Sequence, residues 1–83
     1  MTWHVSFSIQ AQKDLRSLDP QIAQRVIRAI DRLATSSHGD LKRLHGSNGE
    51  LRLRAGDWRV RLVMDRQALI LHILTIRHRS EAY

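Results

Sequence analysis

Apolar and polar residues alternate with a period of two from Glu50 to Asp65, on both sides of the dipeptide Gly56-Asp57. This alternation is typical of strands that bury one face and expose the other. A Gly and Asp pair between two such runs indicates a tight turn. The stretch is therefore predicted to be a β-hairpin. The residues expected to face its core are Leu51, Leu53, Val60, Leu62 and Met64.

Three elements are predicted before the hairpin. Residues 3–7 alternate and favour a first strand, and Ser8 is a plausible cap for the segment that follows. Residues 9–18 have apolar side chains at helical spacing, and this interpretation puts Asp14 on the wet side of the helix. Residues 20–35 show the strongest helical pattern, preceded by an Asp-Pro pair suited to a helix start. The two helices are expected to form a helical hairpin.

The region between the helices and the hairpin is interpreted mainly as loop, with residues 41–44 left unassigned. Residues 68–76 are almost continuously apolar, which favours a strand buried on both faces at the centre of the sheet. The predicted order is βααβββ. This is an α+β fold, with an antiparallel sheet of about four strands that carries the helical hairpin on one face.

Composition restricts the class of protein. The chain has 83 residues, which is room for one small domain over residues 1–83, and it has no cysteine for a disulfide or a thiolate zinc site. No signal peptide or membrane helix is predicted, so the expected location is the cytoplasm. The net charge is +6. A small basic domain of this kind typically meets nucleic acid or an acidic protein.

The charge is concentrated on the predicted solvent face of the hairpin. Arg52, Arg54, Arg59 and Arg61 occupy alternate positions on either side of the turn, with no intervening acid on that face. The planar guanidinium group binds phosphate through two parallel hydrogen bonds and stays charged at neutral pH. The alternative is a solvated face that only discourages aggregation at the sheet edge. Clustering on one face favours contact with phosphate or with an acidic partner.

A second group follows the last predicted strand, where Arg77, His78 and Arg79 precede Tyr83. The alternative for this segment is a charged tail without fixed structure. Trp58 is interpreted either as a stacking surface for a base or, more simply, as a side chain packed on the sheet.

The order of these segments resembles the RelE/ParE superfamily of toxins from bacterial toxin–antitoxin pairs, over nearly the whole chain. SIQAQKDLRSL at 8–18 resembles the opening helix of that family, and DLKRLHG at 40–46 resembles the segment before its second strand. LRLRAGDWRVRLVMD at 51–65 resembles its Arg-Leu-Arg and Gly-Asp-aromatic-Arg-Val run. RHRSEAY at 77–83 resembles its basic ending with Glu and Tyr. The resemblance implies a fold like that of microbial ribonucleases.

For RelE-type members, the resemblance implies cleavage of mRNA in the ribosomal A site without a metal or other cofactor. The 2′-hydroxyl of the RNA attacks the adjacent phosphate and leaves a cyclic phosphate and a free 5′-hydroxyl. Arg59 matches the arginine that stabilises the transition state. The other matches are Arg52 and Arg54 as basic positions of the second strand, Arg77 or Arg79 as the basic residue after the last strand, and Tyr83 as the tyrosine that positions or stacks the base.

Two questions stay open at this point. Arginine and tyrosine are poor bases at neutral pH, which leaves His78 and Glu50 as acid–base candidates, with His78 preferred. ParE-type members poison DNA gyrase instead, and a basic module without catalytic activity is a third reading. In each case, the resemblance implies a heteromeric complex with a cognate antitoxin, whose acidic or amphipathic segment would cover the arginines.

Overall fold

The structure is a computed structural model that describes residues 2–44 and 49–81. It contains two helices and five strands. In chain order these are β1 (His4–Phe7), α1 (Ile9–Ser17), α2 (Pro20–Ser36), β2 (Asp40–Arg43), β3 (Glu50–Ala55), β4 (Trp58–Asp65) and β5 (Ile70–His78). The α+β class and the two helices that the sequence predicts are confirmed.

The two helices begin at the residues that local chemistry indicates. The hydroxyl of Ser8 accepts the backbone N–H of Ala11, and the carboxylate of Asp19 accepts the N–H of Gln21. Both contacts satisfy N–H groups that have no partner within the first helical turn. Within the ranges that the structure describes, neither helix has the length and apolar character needed to cross a membrane.

The five strands form one sheet in the order β1-β5-β4-β3-β2. The predicted hairpin is confirmed, because β3 and β4 pair antiparallel with Arg52 opposite Arg61 and Leu53 opposite Val60. The expected count of about four strands was one too low. The additional strand is β2, which pairs with β3 at the sheet edge. It is short and mostly polar, because an edge strand with one half-buried leucine needs no alternating apolar pattern.

The sheet is mixed rather than antiparallel, because β1 and β5 run parallel with Val5 opposite Leu71. Strand direction depends on how the chain crosses over the sheet, and an alternating pattern has no information on it. The central strand is β4, and the prediction that residues 68–76 form the centre was wrong. The length of an apolar run does not determine how many neighbours a strand has.

A bulge in β5 explains why its apolar run appeared continuous. Arg61 is opposite Thr75, whereas the next residue, Leu62, is opposite Ile73, so Leu74 is an extra residue in the ladder. The bulge shifts the alternation by one residue. Leu71, Ile73 and Ile76 are consequently all buried, while the other side chains of β5 are only half-buried.

One face of the sheet carries the core. α1 lies along β5 and α2 lies on β3. The buried apolar side chains of the helices are Ala11, Val26, Ile30, Leu33 and Ala34. They form one cluster with the buried side chains of the sheet, which are Leu53, Ala55, Val60, Leu62, Leu71, Ile73 and Ile76. Both helices therefore cover the same face, and neither of the described helices lies on the opposite face of the sheet.

Beyond β1, the free edge of β5 is closed by α1. β1 pairs with β5 only as far as Ile73. The hydroxyl of Ser8 donates to the carbonyl of Leu74 at 2.7 Å, and Asp14 Oδ2 accepts the N–H of Ile76 at 2.9 Å. Asp14 is therefore buried, and its predicted place on the wet side of the helix was wrong.

We predict that Asp14→Ala lowers the free energy of unfolding by about 1–3 kcal/mol, because the buried N–H of Ile76 loses its acceptor. Urea unfolding measures the change. Asp31→Ala is the matched control, since Asp31 is an exposed aspartate on α2 and its replacement by alanine gives the same gain in helix propensity. Equal stability of the two variants would contradict this assignment.

Candidate functional site

The face of the sheet opposite the helices carries five arginines, because residues that are opposite each other in adjacent strands point to the same side. Arg52 pairs with Arg61, Arg54 pairs with Arg59, and Arg59 pairs in turn with Arg77. We call this surface the arginine face, defined by Arg52, Arg54, Arg59, Arg61 and Arg77. Lys42 of β2 extends it, since Lys42 is opposite Arg52.

Three of these arginines form a row across adjacent strands at the turn end of the hairpin. Arg54, Arg59 and Arg77 belong to β3, β4 and β5 and follow one another in register. Adjacent strands lie about 4.8 Å apart, so the row spans roughly 10 Å. Like charges directly opposite each other destabilise a sheet. An anion bound across the row would relieve that repulsion.

The backbone of the hairpin turn holds Arg59 in place. Its Nη1 donates to the carbonyl of Gly56 at 2.8 Å and to the carbonyl of Trp58 at 3.1 Å, and the residue is 9% exposed. The other N–H groups of this guanidinium make no hydrogen bond to any residue that the structure describes. A donor fixed in this way loses little freedom when it binds a charged oxygen.

The arginine face is not free of acids. Glu50 opens β3, two residues before Arg52, and its Oε2 accepts hydrogen bonds from Nε of Arg61 at 3.2 Å and from Nη2 of the same group. Asp40 lies opposite Arg54, with 3.9 Å between the charged atoms. Arg61 is therefore neutralised by a neighbour, whereas the exposed pair at Arg54 is weak.

Arg77 and Arg79 are both held at the turn end of the sheet. Nε of Arg77 is 3.6 Å from Oδ2 of Asp14. The backbone N–H of Arg79 donates to the carbonyl of Asp57 at 2.8 Å, and its side chain lies 3.9 Å from the carboxylate of Asp57. The segment after β5 is thus tied to the hairpin turn close to Arg59.

His78 and Trp58 do not share the arginine face. They are opposite each other in β5 and β4, one residue out of phase with Arg77 and Arg59, and their rings meet edge to face with centroids 5.3 Å apart. Trp58 packs against the core, as the simpler of its two interpretations had it. Nδ1 of His78 is 2.9 Å from the hydroxyl of Ser80. Tyr83 lies outside the described residues.

Sequence reasoning missed two residues that shape this site. Lys42 was missed because β2 has no strand pattern of its own. Asp14 was missed although a signal was present, since it lies three residues after Ala11 and four before Leu18, on the same stripe of helix. A carboxylate on that stripe indicates a buried contact.

The protein is thus of the small α+β class, with two helices on one face of the sheet and a basic surface on the other face. Residues 5–83 match the family model of the ParE toxin of type II toxin–antitoxin system, parDE. The chain belongs to this family, which agrees with the RelE/ParE resemblance, and it is therefore a toxin of the type II toxin–antitoxin class. No curated protein sequence matches it at a significant level.

Solved structures show the same fold. The chain is similar to the toxin–antitoxin complex RelBE2 from Mycobacterium tuberculosis, with 26% identity, a TM-score of 0.83, and coverage of 94% of this chain and 99% of that one. The RelE-RelB complex from Pyrococcus horikoshii is similar at 27% identity and a TM-score of 0.80, covering 99% and 100%. The YoeB/ParE toxin from Agrobacterium tumefaciens, at 13% identity, a TM-score of 0.76 and coverage of 90% and 96%, shares the fold.

We predict that Arg59→Ala destabilises the protein by about 1–3 kcal/mol, because two carbonyls at the turn lose a charged donor. Arg54→Ala, on the same face but exposed, should change the unfolding free energy by less than about 0.5 kcal/mol. Urea unfolding of both variants measures the difference. If Arg59→Ala is as stable as the parent protein, the contacts of Arg59 with the turn contribute nothing to the free energy of unfolding.

Proposed function

We propose that this toxin is an endoribonuclease that cleaves mRNA in the ribosomal A site and so inhibits translation in the cytoplasm. The observation that supports the proposal most directly is the row formed by Arg54, Arg59 and Arg77. It presents three guanidinium groups on a face of the sheet that neither described helix covers. Such groups are suited to phosphoryl oxygens, on which negative charge grows during cleavage.

The proposed chemistry needs only groups of the RNA and of the protein. The 2′-oxygen forms a bond to the adjacent phosphorus while the bond from phosphorus to the 5′-oxygen breaks. A base takes the proton of the 2′-hydroxyl, and the 5′-oxygen receives a proton as it leaves. Arg59 and Arg77 would stabilise the charge on the two non-bridging oxygens, and Arg79 would bind the neighbouring phosphate. Such electrostatic contacts typically contribute about 3 kcal/mol each.

Glu50 is the better candidate for the base. It lies on the arginine face beside Arg61, whereas His78 is on the opposite face against Trp58. A base must come within hydrogen-bond reach of the proton it accepts. Of the two candidates weighed on sequence, we therefore propose Glu50 for this role. Arg52 and Arg54 are proposed to bind the RNA backbone on either side.

A cognate antitoxin is the proposed protein partner. The similar proteins from Mycobacterium tuberculosis and Pyrococcus horikoshii were solved as toxin–antitoxin complexes. An acidic or amphipathic segment of the antitoxin would fold on this chain and cover the arginine face. Inhibition would then follow from direct competition with RNA.

Inhibition of DNA gyrase is a second candidate, and one observation favours it, namely the match of residues 5–83 to the ParE model. The two candidates differ in their target, so they are separated by assays on purified protein. Supercoiling by gyrase should be unaffected if the toxin is a ribonuclease. Loss of supercoiling with intact mRNA would favour the gyrase target.

We predict that Arg77→Gln lowers the rate of mRNA cleavage on translating ribosomes by about 10²–10³-fold, because a fixed charge at the phosphate is lost. Primer extension on a translated message measures the rate. Arg66→Gln is the control, since Arg66 is an exposed arginine in the turn after β4. Equal cutting by the two variants would refute a role for Arg77.

We predict that Glu50→Gln lowers the cleavage rate in the same assay and that His78→Gln does not. Glu50→Gln should cut at least about tenfold more slowly, since a general base typically contributes 10²–10⁴-fold to the rate. The substitution removes a negative charge from the arginine face, so the affinity for RNA should stay the same or rise. His78→Gln should cut at close to the parent rate. Normal cutting by Glu50→Gln would exclude it as the base, and a loss confined to His78→Gln would restore the histidine.

A further inference from the structure

A second basic site lies on the helix side of the sheet, where α2 approaches the turn end of β3. The residues form a cleft of about 330 Å³. Its charged lining consists of Arg25, Arg28, Arg32 and Arg54, and its small residues include Ala29 and Ala55. We call it the α2 cleft. We propose that it binds the phosphodiester backbone of a nucleic acid that extends beyond the arginine face.

The arrangement on α2 fits a linear polyanion. Arg25, Arg28 and Arg32 lie at positions i, i+3 and i+7, within roughly 60° of helix circumference and about 10 Å of helix length. A strand in a stacked helical conformation carries one phosphate per about 3.4 Å of axis, so this length matches about three phosphates of such a strand. A single small anion would need only one or two of these guanidinium groups.

The charges on α2 are not neutralised from within the part of the chain that the structure describes. Arg25, Arg28 and Arg32 are exposed and form no ion pair with any described acid. Like charges three or four residues apart weaken a helix by about 0.2–0.5 kcal/mol per pair. A bound anion would convert this repulsion into attraction.

The lining also indicates the type of anion. Arginine binds phosphate and carboxylate groups with the same planar fork. Acidic peptides that fold on a partner typically insert apolar side chains beside their charges. Among the described residues that line the α2 cleft are alanines and arginines, and none of them has a large apolar or aromatic side chain. This lining favours a phosphate backbone over an acidic peptide.

Arg54 joins the α2 cleft to the arginine face. Its register places it beside Arg59 on the open face, and it also lines the cleft. Its Nε is 3.4 Å from the carbonyl of Gly56, at the turn where the two surfaces meet. A strand bound on the arginine face would therefore continue around the turn into the cleft. The inference rests on the proposed function in taking nucleic acid as the ligand, but it does not require cleavage.

The test is binding of fluorescein-labelled single-stranded RNA of about 16 nucleotides, measured by anisotropy over a range of salt concentrations. Arg25→Gln/Arg28→Gln should weaken binding on the order of tenfold and reduce the slope of log affinity against log salt by about 1.4, since two phosphate contacts are lost. Arg25→Lys/Arg28→Lys keeps both charges and should keep the slope.

The matched control is Lys13→Gln/Arg16→Gln, which removes two exposed cations with the same spacing from α1. It should change affinity by less than about twofold. Equal losses in the two double variants would overturn the proposal, because binding would then follow net charge alone. A loss of RNA affinity confined to the α2 variant supports the proposal. The same loss is expected when both double variants are made in an Arg77→Gln background, so the result does not depend on cleavage.

Two further ligands identify the source of the anion. Single-stranded DNA of the same length shows whether the α2 cleft prefers RNA or DNA. Binding of either nucleic acid that depends on Arg25 and Arg28 supports a phosphodiester site. A polyglutamate peptide of the same length is the opposing arm. If the peptide binds as tightly as RNA and its binding also depends on Arg25 and Arg28, the α2 cleft receives an acidic protein segment and the proposal is wrong.

Discussion

The carboxylate of Asp14 accepts the backbone N–H of Ile76 at the part of β5 that continues beyond the end of β1. A strand without a neighbour leaves backbone donors and acceptors unpaired, and leaving them buried is costly. Here, the hydroxyl of Ser8, which caps α1, and the buried carboxylate of Asp14 supply the missing partners. The same carboxylate lies 3.6 Å from the guanidinium of Arg77. Closure of the sheet edge and placement of a site residue therefore depend on one side chain.

The basic residues of the sheet are held by different neighbours, and this gives them different capacities. Arg61 is neutralised by Glu50, and Arg59 is bound by carbonyl groups of the turn. Carbonyl groups orient a guanidinium but leave its full charge in place, whereas a carboxylate cancels it. Arg59, beside the hairpin turn, therefore keeps its full positive charge. The α2 cleft begins at the same place, so the two basic surfaces meet at the turn end of the sheet.

Much of the fold was predictable because the signals were local. The helices follow from caps and from a stripe of apolar side chains, and the hairpin follows from alternation around a Gly-Asp turn. The bulge at Leu74 could not be predicted, because the extra residue is defined only against its partner strand. The edge strand β2 could not be predicted either, since four mostly polar residues become a strand only when β3 offers hydrogen bonds.

The candidate site was predictable to a similar extent. Alternation along β3 and β4 correctly grouped four arginines, because side chains two residues apart always share a strand face. It could not assign His78, whose face depends on the phase of β5 after the bulge. It also overlooked Glu50 as a partner of Arg61, since that ion pair joins two strands across 11 positions of sequence.

The sequence by itself determined the two helices, the arginine-rich hairpin and the positive charge, because each arises from residues close together in the chain. The tertiary structure decided which arginines meet, which are neutralised, and which histidine is separated from them. The physical reason is that strand pairing and edge closure depend on distant backbone groups. In the hairpin, arginines that look equivalent in the sequence thereby come to differ, because Arg59 is bound by the carbonyl groups of the turn and Arg61 is ion-paired with Glu50.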